Sequence, residues 1–393
     1  MKSEHILHVI SSLGHGGAEQ LLVDLLTQFH SSYPQMRHTV IVFHDGTFRK
    51  NLEKLGITVI HIRGFLTTYD PIFIWRLVKA IRHLQPDGIH SSLWASNFLM
   101  RCTARVLKIP LVCSVHMIAP YEGSARTLLQ KITPLPSHGF IAVSPTVARS
   151  LIDDVGIQPA RITVITNGIP EISMDKLVWF DTNRYAIHSP RAVKKSARPE
   201  CSEHGEECIE GCERKNFIIG TVGRLIAIKH FDLIIQSFAL LHAQYSATEL
   251  IIIGYGPEEL TLRNLVQQLN LQNSVTFLGG VQAREHYHTF DCFVQAAPNE
   301  GFSLALLEAL SAQLPVIVTS HTGKHDLITH EHDGLIVPHG DQGELAKALE
   351  KICNDTLFGR TVAENGYQTF KNRGSIATTC SNYNAIFATF CEF

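Results

Sequence analysis

The sequence predicts an α/β protein made of two successive doubly wound, Rossmann-like domains. Two observations predict it. Short β-branched runs alternate with longer helical patterns from end to end, and the alternation restarts after a polar, proline-containing break at 170–215. The length of 393 residues suits it, being long for one hydrophobic core and ordinary for two. With 45% apolar and 18% charged residues the composition is globular, which excludes disorder over most of the chain.

In the first half the expected strands are His5–Ile10, His38–Phe43, Ile57–Ile62, Gly88–Ser91, Leu111–Val115, Gly139–Val143 and Ile162–Ile165. Amphipathic stretches such as Ala18–Phe29, Ile72–Leu84 and Thr146–Asp154 separate them. The second series is Phe217–Val222, Leu250–Ile253, Val275–Phe277, Cys292–Gln295, Val316–Thr319 and Leu335–Val337. Alternation of this kind means βαβ units and parallel sheets, whose ligands bind at the carboxyl ends of the strands. The boundaries expected are an N-terminal domain at 1–169, a linker with an insertion at 170–215 and a C-terminal domain at 216–373. A last helix, 374–393, is expected to return toward the N-terminal domain.

Net charge is −2, divided unevenly. Residues 1–168 carry 16 Lys and Arg against 10 Asp and Glu, whereas 169–393 carry 18 against 26. A basic first half favours an anionic partner such as a membrane surface, or else is a solvated surface with none. The stretch Ser124–Pro136, with Arg126 and Lys131, is the candidate for lying on a bilayer. No run approaches the ~20 apolar residues of a membrane span. The start, MKSEHILHVI, has no secretory pattern, and nine mostly scattered cysteines fit thiols in a reducing cytosol. The expectation is a cytoplasmic protein, peripheral at the inner face of the cytoplasmic membrane.

Three segments carry chemistry. The first runs from Asn299 to Leu310, where Glu300 and Gly301 lie in a loop and a helix starts near Phe302. Free N–H groups at that start, on Gly301, Phe302, Ser303 and Leu304, suit a phosphate, and Gly301 permits close backbone approach. Glu300 before the helix and Glu308 about two turns inside it can grip two parts of one ligand through sugar hydroxyls. Alternatively, Glu300 is an N-terminal charge and Glu308 a solvated helix residue. The second segment runs from Gly220 to Lys229: a strand, a turn at Gly223, then Arg224 and Lys229, cations able to neutralise a diphosphate leaving group. Taken alone, such a pair is usually surface charge. The third is the glycine-rich turn Ser11–Glu19, whose Gly16 and Gly17 N–H groups can meet phosphate. It is not a GxGxxG fingerprint and lacks an acidic ribose partner, which disfavours a nicotinamide dehydrogenase.

Gly223–Lys229 paired with Glu300–Ala309 resembles the large retaining GT-B glycosyltransferase family, family four of the carbohydrate-enzyme classification. Leu314–Thr319, Gly14–Glu19, Ile141–Ser144 and Val164–Ile169 fit it too, so the resemblance covers nearly everything except about 170–215. It implies two domains facing a central cleft and transfer of a sugar from a nucleotide-diphosphate sugar donor to a glycan or glycolipid acceptor. By resemblance Arg224 and Lys229 bind the diphosphate, Gly223 shapes their turn, and Gly301–Leu304 give it N–H groups. Glu308 holds the ribose, Glu300 contacts the transferred sugar, Gly16 and Gly17 close over the phosphates, and His116 contacts the donor sugar. A buried histidine satisfied by a backbone carbonyl is the plainer reading of His116. Gly254–Pro257 matches a loop near the donor but departs from it at Tyr255.

The family mechanism is front-face transfer in which the departing diphosphate oxygen helps deprotonate the acceptor. It needs no metal at the diphosphate and no other cofactor, and nucleic acid is not a partner. Polysaccharide or lipopolysaccharide assembly is the expected setting. The alternatives are a catalytically silent GT-B partner subunit, and a GT-B phosphorylase or epimerase. Outside the resemblance stands Cys201-x-x-His204-x-x-x-Cys208-x-x-x-Cys212, three thiols and an imidazole that make a set for a structural zinc in the 199–213 insertion. Free thiols or a disulfide are the other readings.

Overall fold

The computed structural model describes residues 4–14, 16–119, 123–133, 139–172, 216–298, 302–321 and 325–392. By its internal contacts the chain divides into two units. One comprises Met1–Glu171, Asn299–Leu307 and Lys371–Phe393, and the other Ile172–Pro298 and Glu308–Phe370.

The first unit holds a seven-stranded sheet of β1 (His5–Ser12), β2 (Arg37–His44), β3 (Thr58–His61), β4 (Gly88–Ser92), β5 (Leu111–Val115), β6 (Gly139–Ala142) and β7 (Ile162–Val164). All pairs are parallel and the order is β3-β2-β1-β4-β5-β6-β7, reversing between β1 and β4. Its helices are α1 (Gly17–Ser32), α2 (Arg49–Lys54), α3 (Pro71–Leu84), α4 (Trp94–Leu107), α5 (Ser124–Ile132) and α6 (Pro145–Ser150). Helix α3 starts where Asp70 accepts from the Ile72 and Phe73 amides, with Pro71 fixing the first φ, and it buries Phe73, Leu77 and Ile81. Thr146–Asp154 is expected as one helix but is divided: α6 gives way to a π-turn at Leu151–Val155. There the Ser150 hydroxyl accepts from the Ala119 amide and donates to Asp154, engaging this turn with the loop after β5.

The second unit holds β8 (Phe217–Val222), β9 (Thr248–Ile253), β10 (Val275–Gly279), β11 (Cys292–Gln295), β12 (Val316–Ser320) and β13 (Leu335–Pro338). Again every pair is parallel, in the order β10-β9-β8-β11-β12-β13, with the reversal between β8 and β11. The helices that accompany this sheet are α7 (Phe231–His242), α8 (Glu259–Gln268), α9 (Leu304–Ser311), α10 (Gln342–Asn354) and α11 (Thr356–Arg373), of which α9 up to Leu307 and α11 from Lys371 count with the first unit. Phe217, Ile219, Phe238, Leu250, Ile252 and Leu349 are among the side chains that form its core. Two parallel α/β sheets of Rossmann type are therefore the architecture, as the alternation predicts.

Helix α12 (Ile376–Ala388) belongs to the first unit. Ile376, Tyr383 and Phe387 bury themselves in the core that Ile6, Leu25 and Phe29 build. Backbone bonds between Ile169 and Gly374, and between Ile376 and Ile169, tie it down. Beneath it lies a buried polar chain: His38 Nδ1 to His8 Nε2 (3.0 Å), His8 Nδ1 to His90 Nδ1 (3.0 Å), His90 Nε2 to Ser114 Oγ (2.8 Å) and Ser114 Oγ to Tyr383 OH (2.9 Å). Neutral rings satisfy this chain, with His8 and His90 each donating once and accepting once. The direction running from His38 toward Tyr383 leaves the Nε2 of His38, which has no partner among the described residues, as a lone pair rather than a buried N–H, which is the cheaper choice.

Burial holds these imidazoles neutral: it pushes His38 down to about 4 and His90 to about 3, and lowers His8 well below its ordinary value. Unfolded histidine titrates near 6.5. The folded values are lower, so protonation favours the unfolded chain. The contribution is complete above about pH 6.5 and is lost as pH falls toward 4. We expect denaturant titrations to show a loss on the order of 1–2 kcal/mol per imidazole between about pH 7.5 and pH 5. An unchanged midpoint would contradict it.

Candidate functional site

In an open parallel sheet the strand order reverses at one place, and the loops leaving the two central strands diverge there to form a crevice. In the second unit those strands are β8 and β11. Gly223 and Arg224 follow β8, and the segment leading to α9 follows β11. Gly223 N–H donates to the Ile253 carbonyl (3.0 Å), and Leu225 N–H to that of Tyr255 (3.0 Å). Gly254 has φ +147°, and a Cβ there would overlap the Gly223 carbonyl oxygen, so the two loops pack backbone on backbone. Arg224 is exposed at the end of this turn. A 3₁₀ turn, Ala227–Lys229, then carries the half-buried Lys229 to the start of α7. Tyr255 projects beside them, 45% exposed.

Helix α9 begins at Leu304 rather than near Phe302. Phe302 is buried and Ser303 Oγ accepts from the Leu306 amide (3.3 Å), so the residue expected inside the helix caps it instead. Glu308 is consequently little more than one turn inside. It is buried rather than solvated: its carboxylate accepts from Arg284 Nε (2.7 Å) and from the Tyr287 hydroxyl (3.0 Å). These donors fix the direction of the carboxylate. Sequence reasoning missed Arg284 and Tyr287, because separations of 24 and 21 residues carry no periodic signal. It also missed three imidazoles, His230 beside Lys229, His339 after β13 and His321 after β12, whose rings lie 4.3 and 4.6 Å apart in succession.

In the first unit the reversal falls between β1 and β4, and the turn after β1 leads into α1. Gly16 is the N-cap and no side chain caps the first amides of the helix. A Cβ on Gly16 would meet the Glu19 carboxylate, which also accepts from Ser12 Oγ (2.6 Å), so a larger residue there would have to displace that side chain. Gly17 lies against Leu304: a Cβ there would sit 3.7 Å from its Cδ1. The Phe302 carbonyl accepts from Asn167 Nδ2 (3.2 Å). His116 follows β5, and its Nε2 is buried without a hydrogen-bond partner among the described residues. It is therefore not a core histidine with that nitrogen satisfied. Burial pushes it down to about 4, so near neutral pH it presents a neutral ring. Glu300, Gly301, Cys201, His204, Cys208 and Cys212 lie outside the described residues.

A family model described as glycosyl transferases group 1 matches residues 209–369, and one described as glycosyltransferase family 4 matches residues 15–171. The chain is a GT-B glycosyltransferase of group 1. Among its relatives, the capsular polysaccharide biosynthesis glycosyltransferase CapM of Staphylococcus aureus is 25% identical, over 67% of this chain and 65% of that protein. The match thus spans just under two thirds of CapM. The lipopolysaccharide core biosynthesis glycosyltransferase LpsD of Rhizobium meliloti is 24% identical over 95% of each chain. Among solved structures, Anabaena Alr3699/HepE in complex with UDP-glucose superposes with a TM-score of 0.76 at 21% identity, covering 99% of this chain and 100% of that one. At that identity the likeness shows the fold.

The Arg284–Glu308 pair is the testable core of the second unit's part. In this transferase Arg284→Ala leaves a buried carboxylate without its cation and should cost about 2–3 kcal/mol, below the full range for buried pairs because Arg284 is partly exposed. Tyr287→Phe, which removes one neutral donor, should cost about 1 kcal/mol. Chemical denaturation of both variants measures the difference, and equal losses would refute this ranking.

Proposed function

We propose that this transferase moves a sugar from a nucleoside-diphosphate sugar to a hydroxyl of a glycan or glycolipid and retains the anomeric configuration. The observation that carries the reading is the reversal point of the second sheet. There Arg224 and Lys229 leave one central strand, and the capped start of α9 follows the other. Cations and helix amides at such a crevice suit a diphosphate. HepE is a structure in complex with UDP-glucose, which supports a donor of this class. CapM and LpsD are named for capsular polysaccharide and lipopolysaccharide core biosynthesis, which supports envelope glycan assembly, with the acceptor presented at the inner face of the cytoplasmic membrane.

Each residue then has a task. Arg224 and Lys229 take up the charge that grows on the departing diphosphate, helped by the amides at Gly301–Leu304. They supply there the positive charge that a divalent cation supplies in other transferases. Glu308, aimed by Arg284 and Tyr287, accepts from the ribose hydroxyls. Glu300 holds the transferred sugar. His116, neutral and with Nε2 unpartnered, orients a sugar hydroxyl. The turn at Gly16 and Gly17 covers the phosphates. The acceptor hydroxyl attacks the anomeric carbon on the face the leaving group departs from. Its proton passes to the diphosphate oxygen, so one glycosidic bond forms as one glycosyl–phosphate bond breaks. No cofactor enters these steps. A zinc on Cys201, His204, Cys208 and Cys212 would be structural, and elemental analysis of the purified chain should then find about one zinc.

The reading is tested with a panel of nucleotide sugars. A transferase hydrolyses its own donor slowly without acceptor, and a silent partner leaves all of them intact. Arg224→Ala and Lys229→Ala should each lower turnover on the order of 10²-fold or more, as loss of one oxyanion donor does elsewhere. Near-normal turnover in either would place the clamp elsewhere. Calorimetric titration with a nucleoside diphosphate separates the two glutamates. Glu308→Ala should weaken binding and Glu300→Ala should spare it, and equal losses would end that division of labour.

A further inference from the structure

The described residues contain no helix long and apolar enough to cross a membrane, yet the first unit exposes bulky apolar side chains in one basic region. Helix α3 buries Phe73, Leu77 and Ile81 and turns Ile72, Trp75, Arg76 and Lys79 outward, at the i, i+3, i+4, i+7 spacing of a single face. Ile72 and Trp75 are each 61% exposed. Leu66 (83%) and Tyr69 (58%) extend the face through the preceding loop. Lys79 Nζ stands 5.3 Å from the Trp75 ring centroid, so a cation and an aromatic share the surface.

The face continues to α5 through packed rings. Tyr69 meets Phe98 edge to face (5.6 Å), Phe98 stacks on Trp94 (5.5 Å), and the Arg126 guanidinium lies over Trp94 (5.0 Å). Helix α5 buries only Gln130 and leaves Leu128 (59%) and Ile132 (69%) in the open beside Lys131. Acids are scarce: residues 66–132, which span this surface, carry eight Lys and Arg against three, Asp70, Asp87 and Glu122.

We propose that the outward faces of α3 and α5, with the loop at Leu66–Tyr69 between them, form the surface by which this transferase lies on an anionic lipid bilayer. The proposal deepens the reading of a membrane-presented acceptor and takes its purpose from it. Three arguments single out lipid. Trp and Tyr rings among aliphatic side chains suit the headgroup level of a bilayer. Lysines and arginines among them suit lipid phosphates, whereas the centre of a protein interface is depleted in lysine. A second copy of the same face would bring like charges together. The surface is wider than Ser124–Pro136, the stretch singled out in the sequence, because α3 contributes its exposed aromatic residue.

The test is co-sedimentation of the full chain, without nucleotide sugar, with vesicles of phosphatidylcholine alone and of phosphatidylcholine mixed with phosphatidylglycerol. The expected result is partition to the mixed vesicles, weakened by salt as screening shortens its reach. Lys79→Glu should lower partition about fivefold or more, the worth of one basic residue near such a surface. Trp75→Ser combined with Leu128→Ser should lower it roughly tenfold. Lys347→Glu, an exposed change in the second unit, should leave it unchanged. Unaltered melting curves would show that these exposed positions do not affect folding. Equal partition to both vesicle types, no partition to either, or self-association in place of binding would each overturn the proposal. Vesicle binding does not depend on catalysis. Absent binding with intact transfer to a soluble acceptor would therefore sink the surface alone, and intact binding without transfer would sink the transferase reading alone.

Discussion

Every strand of both sheets runs parallel to its neighbours, and a parallel strand cannot be reached by a tight turn. Each return must run back along the sheet, most often as a helix, so all the carboxyl ends of one sheet share one edge and the loops that leave from it have room for chemistry. The order then reverses once per sheet, between β1 and β4 and between β8 and β11. That constraint places the Gly14–Glu19 turn at the reversal of the first sheet, and Gly223–Lys229 and the approach to α9 at the reversal of the second.

The loops at the second reversal are held by backbone rather than side chains. Gly254 and Gly256 exist where the Gly223 and Leu225 carbonyls approach too closely for a Cβ. A hydrogen-bonded backbone contact of this kind gives Arg224 a rigid root while leaving its side chain in solvent. Glu308 is organised the opposite way. Its carboxylate is buried, and a guanidinium and a phenol aim it. An ionised group removed from water is tolerated only with such partners.

The first unit spends stability on polar burial of another kind. His8 interrupts the aliphatic run Ile6–Ile10 and needs His38, His90, Ser114 and Tyr383 to satisfy it. The last member comes from α12, so a helix at the far end of the sequence completes the hydrogen bonding of the first strands. The same burial keeps His116 neutral, and a neutral ring with one unpartnered nitrogen is suited to a hydroxyl rather than to a charge.

Hydrophobic alternation by itself determined the strands and their class, since β-branched runs of four to eight residues have few other uses; Leu111–Val115, Phe217–Val222 and Cys292–Gln295 coincide with the folded strands residue for residue. Local glycine and charge patterns marked the loops that the reversal points expose. Sequence also placed the α9 start two residues early, because a propensity pattern does not show that Phe302 is buried and Ser303 caps. Only the tertiary structure decided that Glu308 is buried against Arg284 and Tyr287, that His38, His8 and His90 form one chain, and that Ile72 and Trp75 face outward while Phe73 and Leu77 face in. The reason is physical. Local patterning depends on neighbours a few residues away, whereas burial, pKa and the partner of a polar atom depend on side chains that only the completed sheets bring within hydrogen-bonding distance.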